Sequence, residues 1–188
     1  TFLLIVDIYV ICKTFYIFKE LIAMEYYRVK LEKYEQNDFH YFSSLVFNES
    51  VMNMNMGRIF TKEEAEDYFH FMINNNKKYE FAGHYKVFKE CNSEFIGTAT
   101  LSLNENFLSA EIEFMILPDY WGKGYGTEIA SCLLEFAKKY DVIKEITAIT
   151  NQNNIGSRNV LQKNGFEYQS TYKVEEEDRL ADIYIKKL

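Results

Sequence analysis

Residues 111–127, EIEFMILPDYWGKGYGT, gather most of the side chains and backbone that could do chemistry. Glu111 and Glu113 stand two apart in an otherwise apolar run, so a regular strand would turn both carboxylates to one face. A carboxylate in such surroundings can accept a proton near neutral pH, the task of a general base, although a solvent-facing carboxylate on a half-exposed strand is the plainer reading of either. Beyond Pro118 come Gly122, Gly124 and Gly126, followed by a helical pattern. Glycines let the backbone approach a ligand and turn its amides inward, and a helix start favours an anion such as a pyrophosphate. A flexible strand-to-helix turn is the alternative for a glycine cluster standing alone. Lys123 could help to neutralise the anion, or simply be solvated. Two other cradles are excluded. GxxxxGK[ST] is absent, and GxGxxG with an acidic end to the next strand is not met, because that strand ends in Thr150, Asn151 and Gln152.

These residues need elements to position them. Residues 27–33 read as a strand, and Asn37 or Asp38 can cap a helix to about residue 48 with Phe39, Phe42, Leu45 and Val46 at helical spacing. Thr61 and Glu64 form a capping box, with Ala65, Tyr68, Phe69 and Met72 as the apolar face behind it and Asn74, Asn75 and Asn76 as the stop. Strands are predicted at 79–90, 94–103 and 109–117 as an antiparallel meander. An amphipathic helix at 126–140, a strand at 145–150, a helix at 157–163 stopped by Gly165, and strands at 166–175 and 180–187 complete the order. The expected fold class is α+β, a mixed sheet with helices on both faces, in a single domain over 24–188.

Residues 1–23 are apolar but interrupted by Asp7, Lys13, Lys19 and Glu20, and no charge-free run approaches the ~20 residues needed to span a bilayer. No basic start or small-residue cleavage site marks a secretory signal. Met24 opens an ordinary polar-alternating strand, so the natural protein is expected to begin there and 1–23 to be an extension foreign to the domain; an added element lying on the domain or on a membrane surface is the alternative. With 21 Lys plus Arg against 28 Asp plus Glu, the charge of −7 argues against a nucleic-acid partner. Cys12, Cys91 and Cys132 fit neither a disulfide framework nor a zinc site, and His40, His70 and His84 form no HxxxH pair, so no metal and a cytoplasmic location are expected.

Residues 121–126, WGKGYG, resemble the acetyl-CoA loop [QR]xxGx[GA] of the GNAT superfamily, with Trp121 in place of Gln or Arg. Asn154, Ser157 and VLQKNGF at 160–166 resemble the family's second signature, one helix and one strand downstream. The resemblance spans most of 27–188 and is nearest to the ribosomal-protein N-terminal acetyltransferase branch, more distantly to polyamine acetyltransferases. It implies a mostly antiparallel central sheet, acetyl-CoA as co-substrate, a primary amine as acceptor, and direct attack of the neutral amine on the thioester in a ternary complex. Homodimers are common in the family.

Residue by residue, the resemblance implies that the backbone at Phe114, Met115, Ile116 and Leu117 holds the thioester carbonyl. Trp121, Gly122, Lys123, Gly124, Tyr125, Gly126 and Thr127 would receive the pyrophosphate, and Asn154 the pantetheine arm, unless it is simply a turn asparagine. AEI at 110–112 matches the branch's acidic position and favours Glu111 over Glu113 as base, although a family β-bulge would re-aim one of them. Many relatives carry a thiolate-protonating tyrosine where Leu161 stands, and another branch has a glutamate near Ile149; both are missing. Ser157 takes the acid role in the branch, with a helix N-cap as its alternative. Tyr26, Tyr27 and Phe60 are expected along the acceptor groove. The acidic run 175–178 could draw in a cation there or be only a charged hairpin tip. A non-catalytic acyl-CoA-binding module and an antibiotic-modifying acetyltransferase stand as alternative functions.

Overall fold

The computed structural model describes residues 27–175 and 179–188. The extension at 1–23, the start at Met24, Tyr26 and residues 176–178 of the acidic run lie outside the described residues. The chain runs β1 (Val29–Lys33), α1 (Phe39–Val46), α2 (Glu49–Asn55), α3 (Lys62–Asn76), β2 (Gly83–Lys89), β3 (Phe95–Leu103), β4 (Ser109–Ile116), a 3₁₀ turn (Pro118–Tyr120), α4 (Tyr125–Ala137), β5 (Glu145–Asn151), α5 (Ile155–Lys163), β6 (Glu167–Val174) and β7 (Arg179–Lys187).

The predicted order holds with one addition. The helix expected to reach residue 48 stops at Val46, and Asn48 begins a second one, accepting from the Val51 amide as its N-cap. Asparagine competes with the backbone for hydrogen bonds and so favours a cap over a helix interior. The capping box of α3 is present as read. Thr61 Oγ1 accepts from Glu64 N at 3.2 Å, and Glu64 accepts from Thr61 N at 2.7 Å while also pairing with Arg58.

The seven strands form one sheet in the order β1-β2-β3-β4-β5-β7-β6. Every pairing is antiparallel except that of β4 with β5. Side-chain alternation gives the sheet two unlike faces. One is apolar: Val87, Leu101, Ile112 and Ile146 pack with Ile129 and Leu133 of α4 and Leu161 of α5. The other carries His84, Lys86, Thr98 and Thr100 beneath α1 to α3, whose own core is Phe42, Val46, Met52, Phe69 and Met72. Lys86 is held there by Asp38 at 2.7 Å.

Between β3 and β4 there is no room for a side chain at Gly97, where an added Cβ would sit 2.2 Å from Met115 O and 3.0 Å from Ile116 Cα. Both obstacles are backbone and cannot swing aside. Gly97→Ala is therefore expected to cost about 1–3 kcal/mol, as overpacking does, read as a lowered midpoint in urea unfolding; an unchanged midpoint would show that the two strands can separate freely.

Candidate active site

The site begins with a split in the sheet. Strands β4 and β5 pair only from Ser109–Glu111 against Glu145–Thr147. Beyond that, β4 stays with β3 as far as Ile116 and β5 stays with β7 as far as Asn151, so the two part. A cleft of about 730 Å³ opens between them, reaching from the glycine-rich segment at one mouth to Phe42, Val51, Met54, Tyr68 and Met72 of α1 to α3 at the other.

At the first mouth Gly122 and Gly124 have φ of +71° and +87°, left-handed values that side chains resist. Gly124 is the N-cap of α4 and contributes no side-chain cap, so the first-turn amides and the positive end of the helix face the cleft. Gly126 is needed for space: a Cβ would come within 3.0 Å of Val160 and 3.4 Å of Ile116. The segment is clamped from outside by Arg28. Its Nη2 donates to Lys123 O at 3.1 Å, its Nε and backbone N donate to Glu128 at 2.7 and 2.9 Å, and its guanidinium lies 4.7 Å over the Tyr125 ring. Sequence reading missed Arg28, since nothing local links it to a partner 100 residues away.

Trp121, where the family motif has Gln or Arg, donates from Nε1 to Ile116 O at 2.6 Å, lines the cleft and joins the loop to the strand end. Tyr125 and Thr127 line the cleft as well; Lys123 and Leu117 do not. The Lys123 ammonium lies 5.8 Å from the Tyr120 ring instead. Leu117 N donates to Ile96 O, and antiparallel alternation then turns Met115 toward β3 and the backbone groups of Phe114 and Ile116 toward the gap. Two of the four strand positions thus present their amides to the cleft.

Glu111 and Glu113 share one face, because the β3–β4 register runs unbroken from Leu103↔Ala110 to Gly97↔Ile116 and no bulge intervenes. Both line the cleft from its second mouth. Glu113 is open to water entering the cleft yet surrounded by protein on its other sides. This enclosure, with the Glu111 charge as a second cause, pushes its carboxyl up to about 7. Burial raises Glu111 as well. Tyr68 of α3 lines the same cleft, and its phenol is raised by burial first and by the charges of these two carboxylates second. His84, also in the lining, is pushed down to about 4 by burial.

The N-cap expected of Ser157 belongs to Asn154, whose side chain accepts from Ser157 N at 3.0 Å. Ser157 is three residues into the helix, lines the cleft, and its hydroxyl takes no partner among the described residues. Asn154 Nδ2 also donates to Met54 O at 3.3 Å, strapping α5 to α2, which leaves one N–H and one lone pair for a ligand. Tyr27 and Phe60 are not in the groove. Tyr27 packs with the apolar core by α4, and Phe60 lies behind Phe42 and Tyr68.

Compared with known families, residues 28–167 match the acetyltransferase (GNAT) domain. The chain belongs to the GNAT acetyltransferases. Solved GNAT structures share its fold. An acetyltransferase of Bacillus anthracis superposes with a TM-score of 0.73 at 19% identity, covering 86% of this chain and 95% of its own. A Salmonella typhimurium enzyme that modifies the N-terminal serine of ribosomal protein L7/L12 gives 0.72 at 15% identity, covering 86% and 95%. The spermidine N-acetyltransferase of Vibrio cholerae, solved with CoA and spermine, gives 0.71 at 17% identity, covering 85% and 95%.

In this GNAT domain the enclosed carboxylate has a consequence for stability. Glu113 binds its proton more tightly folded than unfolded, so its favourable contribution is complete below the ordinary value of 4.5 and lost as pH rises through about 7. Glu113→Gln is expected to melt at the same temperature as the parent at pH 4.5 and at a higher one at pH 8. A variant less stable than the parent at pH 8 would contradict the enclosure.

Proposed function

We propose that this chain transfers the acetyl group of acetyl-CoA to a primary amine by direct attack within a ternary complex. The observation that carries the reading is the cleft through the sheet, with an uncapped helix start at one mouth and a carboxylate pair at the other. Two reactants entering from opposite sides meet at the gap beside β4. The clamped loop and the first turn of α4 receive the pyrophosphate, and the amides of Phe114 and Ile116 face the thioester carbonyl as charge develops on its oxygen.

The acceptor arrives as an ammonium and must lose a proton before it can attack. Glu113 accepts it, since a base with a pKa near the working pH combines ionisation with proton affinity. Glu111, its neighbour on the same face, keeps the pocket negative and attractive to a cation. We take Glu113 as the base rather than the favoured Glu111; it lies two residues further along β4, past the last β4–β5 pair. When the C–S bond breaks, the thiolate takes a proton from the Ser157 hydroxyl, the free hydroxyl in the cleft lining near the start of α5, and the second proton shed by the attacking nitrogen as the amide forms returns to that oxygen. Protein N-termini and polyamines, the acceptors of the Salmonella and Vibrio relatives, both present such an ammonium, and both are compatible with a groove of aromatic and aliphatic walls around two carboxylates.

Thiol release from acetyl-CoA, measured against protein N-terminal peptides, polyamines and aminoglycosides, tests the proposal. Turnover on one class is expected, and binding of acetyl-CoA without turnover on any amine would make the chain a non-catalytic acyl-CoA module. With an acceptor in hand, Glu113→Gln should lower kcat/KM by about 10²–10⁴, the usual weight of a general base, and abolish an acid limb centred near pH 7. Arg28→Ala should raise KM for acetyl-CoA roughly tenfold, the effect of about 1.4 kcal/mol, with kcat little changed; an unaltered KM would remove the loop clamp from the account.

A further inference from the structure

The charges around the glycine-rich mouth leave one cation without a task. Lys123, the lysine that the sequence offers for neutralising an anion, faces the Tyr120 ring and stays out of the cleft lining. Arg28 is occupied by Glu128 and Lys123 O. Lys163, in the last turn of α5, is exposed, lines the cleft, and forms no hydrogen bond or ion pair among the described residues. Arg179, the other cation in the described lining, stands beside the end of β5, where Gln152 N donates to Leu180 O.

Three contacts set Lys163 next to the first turn of α4. Asn164, its neighbour in sequence, donates from Nδ2 to Thr127 O at 3.2 Å and accepts from Ser131 Oγ at 2.8 Å. Val160, one turn back on the same face of α5, is the side chain that a Cβ on Gly126 would meet at 3.0 Å. Lys186 of β7 donates to Asn164 O at 2.8 Å and is not in the lining. Helix α5 thus runs the length of the cleft. Its cap, Asn154, is tied to Met54 of α2 at the carboxylate mouth. Lys163 is nine residues on, roughly 13 Å at 1.5 Å per residue, at the glycine-rich mouth.

Coenzyme A carries a pyrophosphate in its chain and a separate phosphate on the 3′ carbon of its ribose. The uncapped start of α4 offers backbone N–H groups directed along one axis, which suit the pyrophosphate. Those amides do not serve a second anion standing to the side. A lysine does, because its ammonium is a point charge with three donors on a flexible four-carbon stem. Resting on the acetyl-CoA reading of the cleft, we propose that Lys163 is a specificity-determining residue: its ammonium pairs with the 3′-phosphate and lets the chain distinguish coenzyme A from its 3′-dephosphorylated form. Lys163 takes the part that the sequence offered to Lys123, but from α5 and not from the glycine-rich loop.

The test is a binding measurement and needs no acceptor amine. Dissociation constants of coenzyme A and 3′-dephospho-coenzyme A are measured by calorimetry in the full chain, for the parent, Lys163→Met, Lys163→Arg and Lys123→Met, with melting temperatures as a check on folding. Methionine keeps an apolar stem of similar length and removes the charge. The parent is expected to bind coenzyme A about tenfold more tightly than the dephosphorylated form, the weight of one charge-assisted hydrogen bond at an exposed mouth. Lys163→Met should lose that preference by weakening coenzyme A alone, while Lys163→Arg and Lys123→Met should keep it. Equal weakening of both ligands in Lys163→Met, an unchanged preference there, or its loss in Lys123→Met overturns the assignment. A parent that binds both forms equally also overturns it, and leaves the acetyl-CoA reading standing. A parent that binds neither form removes that reading and takes this proposal with it.

Discussion

The contact on which the site depends is the short parallel pairing of β4 with β5. Three residues of each strand are matched, and then β4 follows β3 while β5 follows β7. A sheet that divides in this way exposes backbone groups that would otherwise be satisfied, and exposed donors and acceptors have to find partners in side chains, water or a ligand. The surrounding residues supply some of them: Trp121 takes Ile116 O, and Asn154 ties the start of α5 to α2 across the opening. Groups at Phe114 and the Ile116 amide are left facing the gap.

The split also explains why the two faces of the sheet differ. Under α4 and α5 the strands present aliphatic side chains to a dry core. Under α1 to α3 the central strands present His84, Lys86, Thr98 and Thr100, while Tyr34, just past β1, forms a separate aromatic cluster with Phe42 and Phe69 of the helices. His84, Thr98 and Thr100 border the cleft and Lys86 is satisfied by Asp38, and burial raises the two glutamates and lowers the histidine. Two like charges on one face of a strand oppose folding at neutral pH. Such opposition is commonly found where a protein has a reaction to perform.

Features set by short-range rules were legible in the sequence. The Thr61–Glu64 box, the glycine spacing and the shared face of Glu111 and Glu113 each depend on a few neighbouring residues, and each stands as read. Apolar spacing ran straight through Asn48, so two short helices read as one, and serine preference put the cap at Ser157 when Asn154, three residues earlier, was the better placed acceptor. Arg28 with Glu128, Asn154 with Met54, and the alignment of His84, Thr100 and Glu113 across β2, β3 and β4 were out of reach for a different reason. They depend on which strands are neighbours and in what register, and one residue of slip would reverse every face.

The glycine-rich segment is a held turn and not a loose one. A loop carrying three glycines in five residues would be expected to wander, and ordering it around a ligand would cost conformational entropy. Here it is fixed on three sides: Trp121 anchors it to the end of β4, Arg28 holds Lys123 O and the Tyr125 ring, and Gly126 is wedged against Val160 and Ile116. Trp121 fits this design, since an indole offers one N–H and a rigid body where the Gln or Arg of the family motif would offer longer, freer chains. Its hydrogen bond to Ile116 O ties the glycine-rich end of the cleft to the strand that carries Glu113, three residues from that carbonyl. A shift of the loop is thereby a shift of β4, so the glycine-rich mouth and the carboxylate mouth of the cleft are held in one rigid unit.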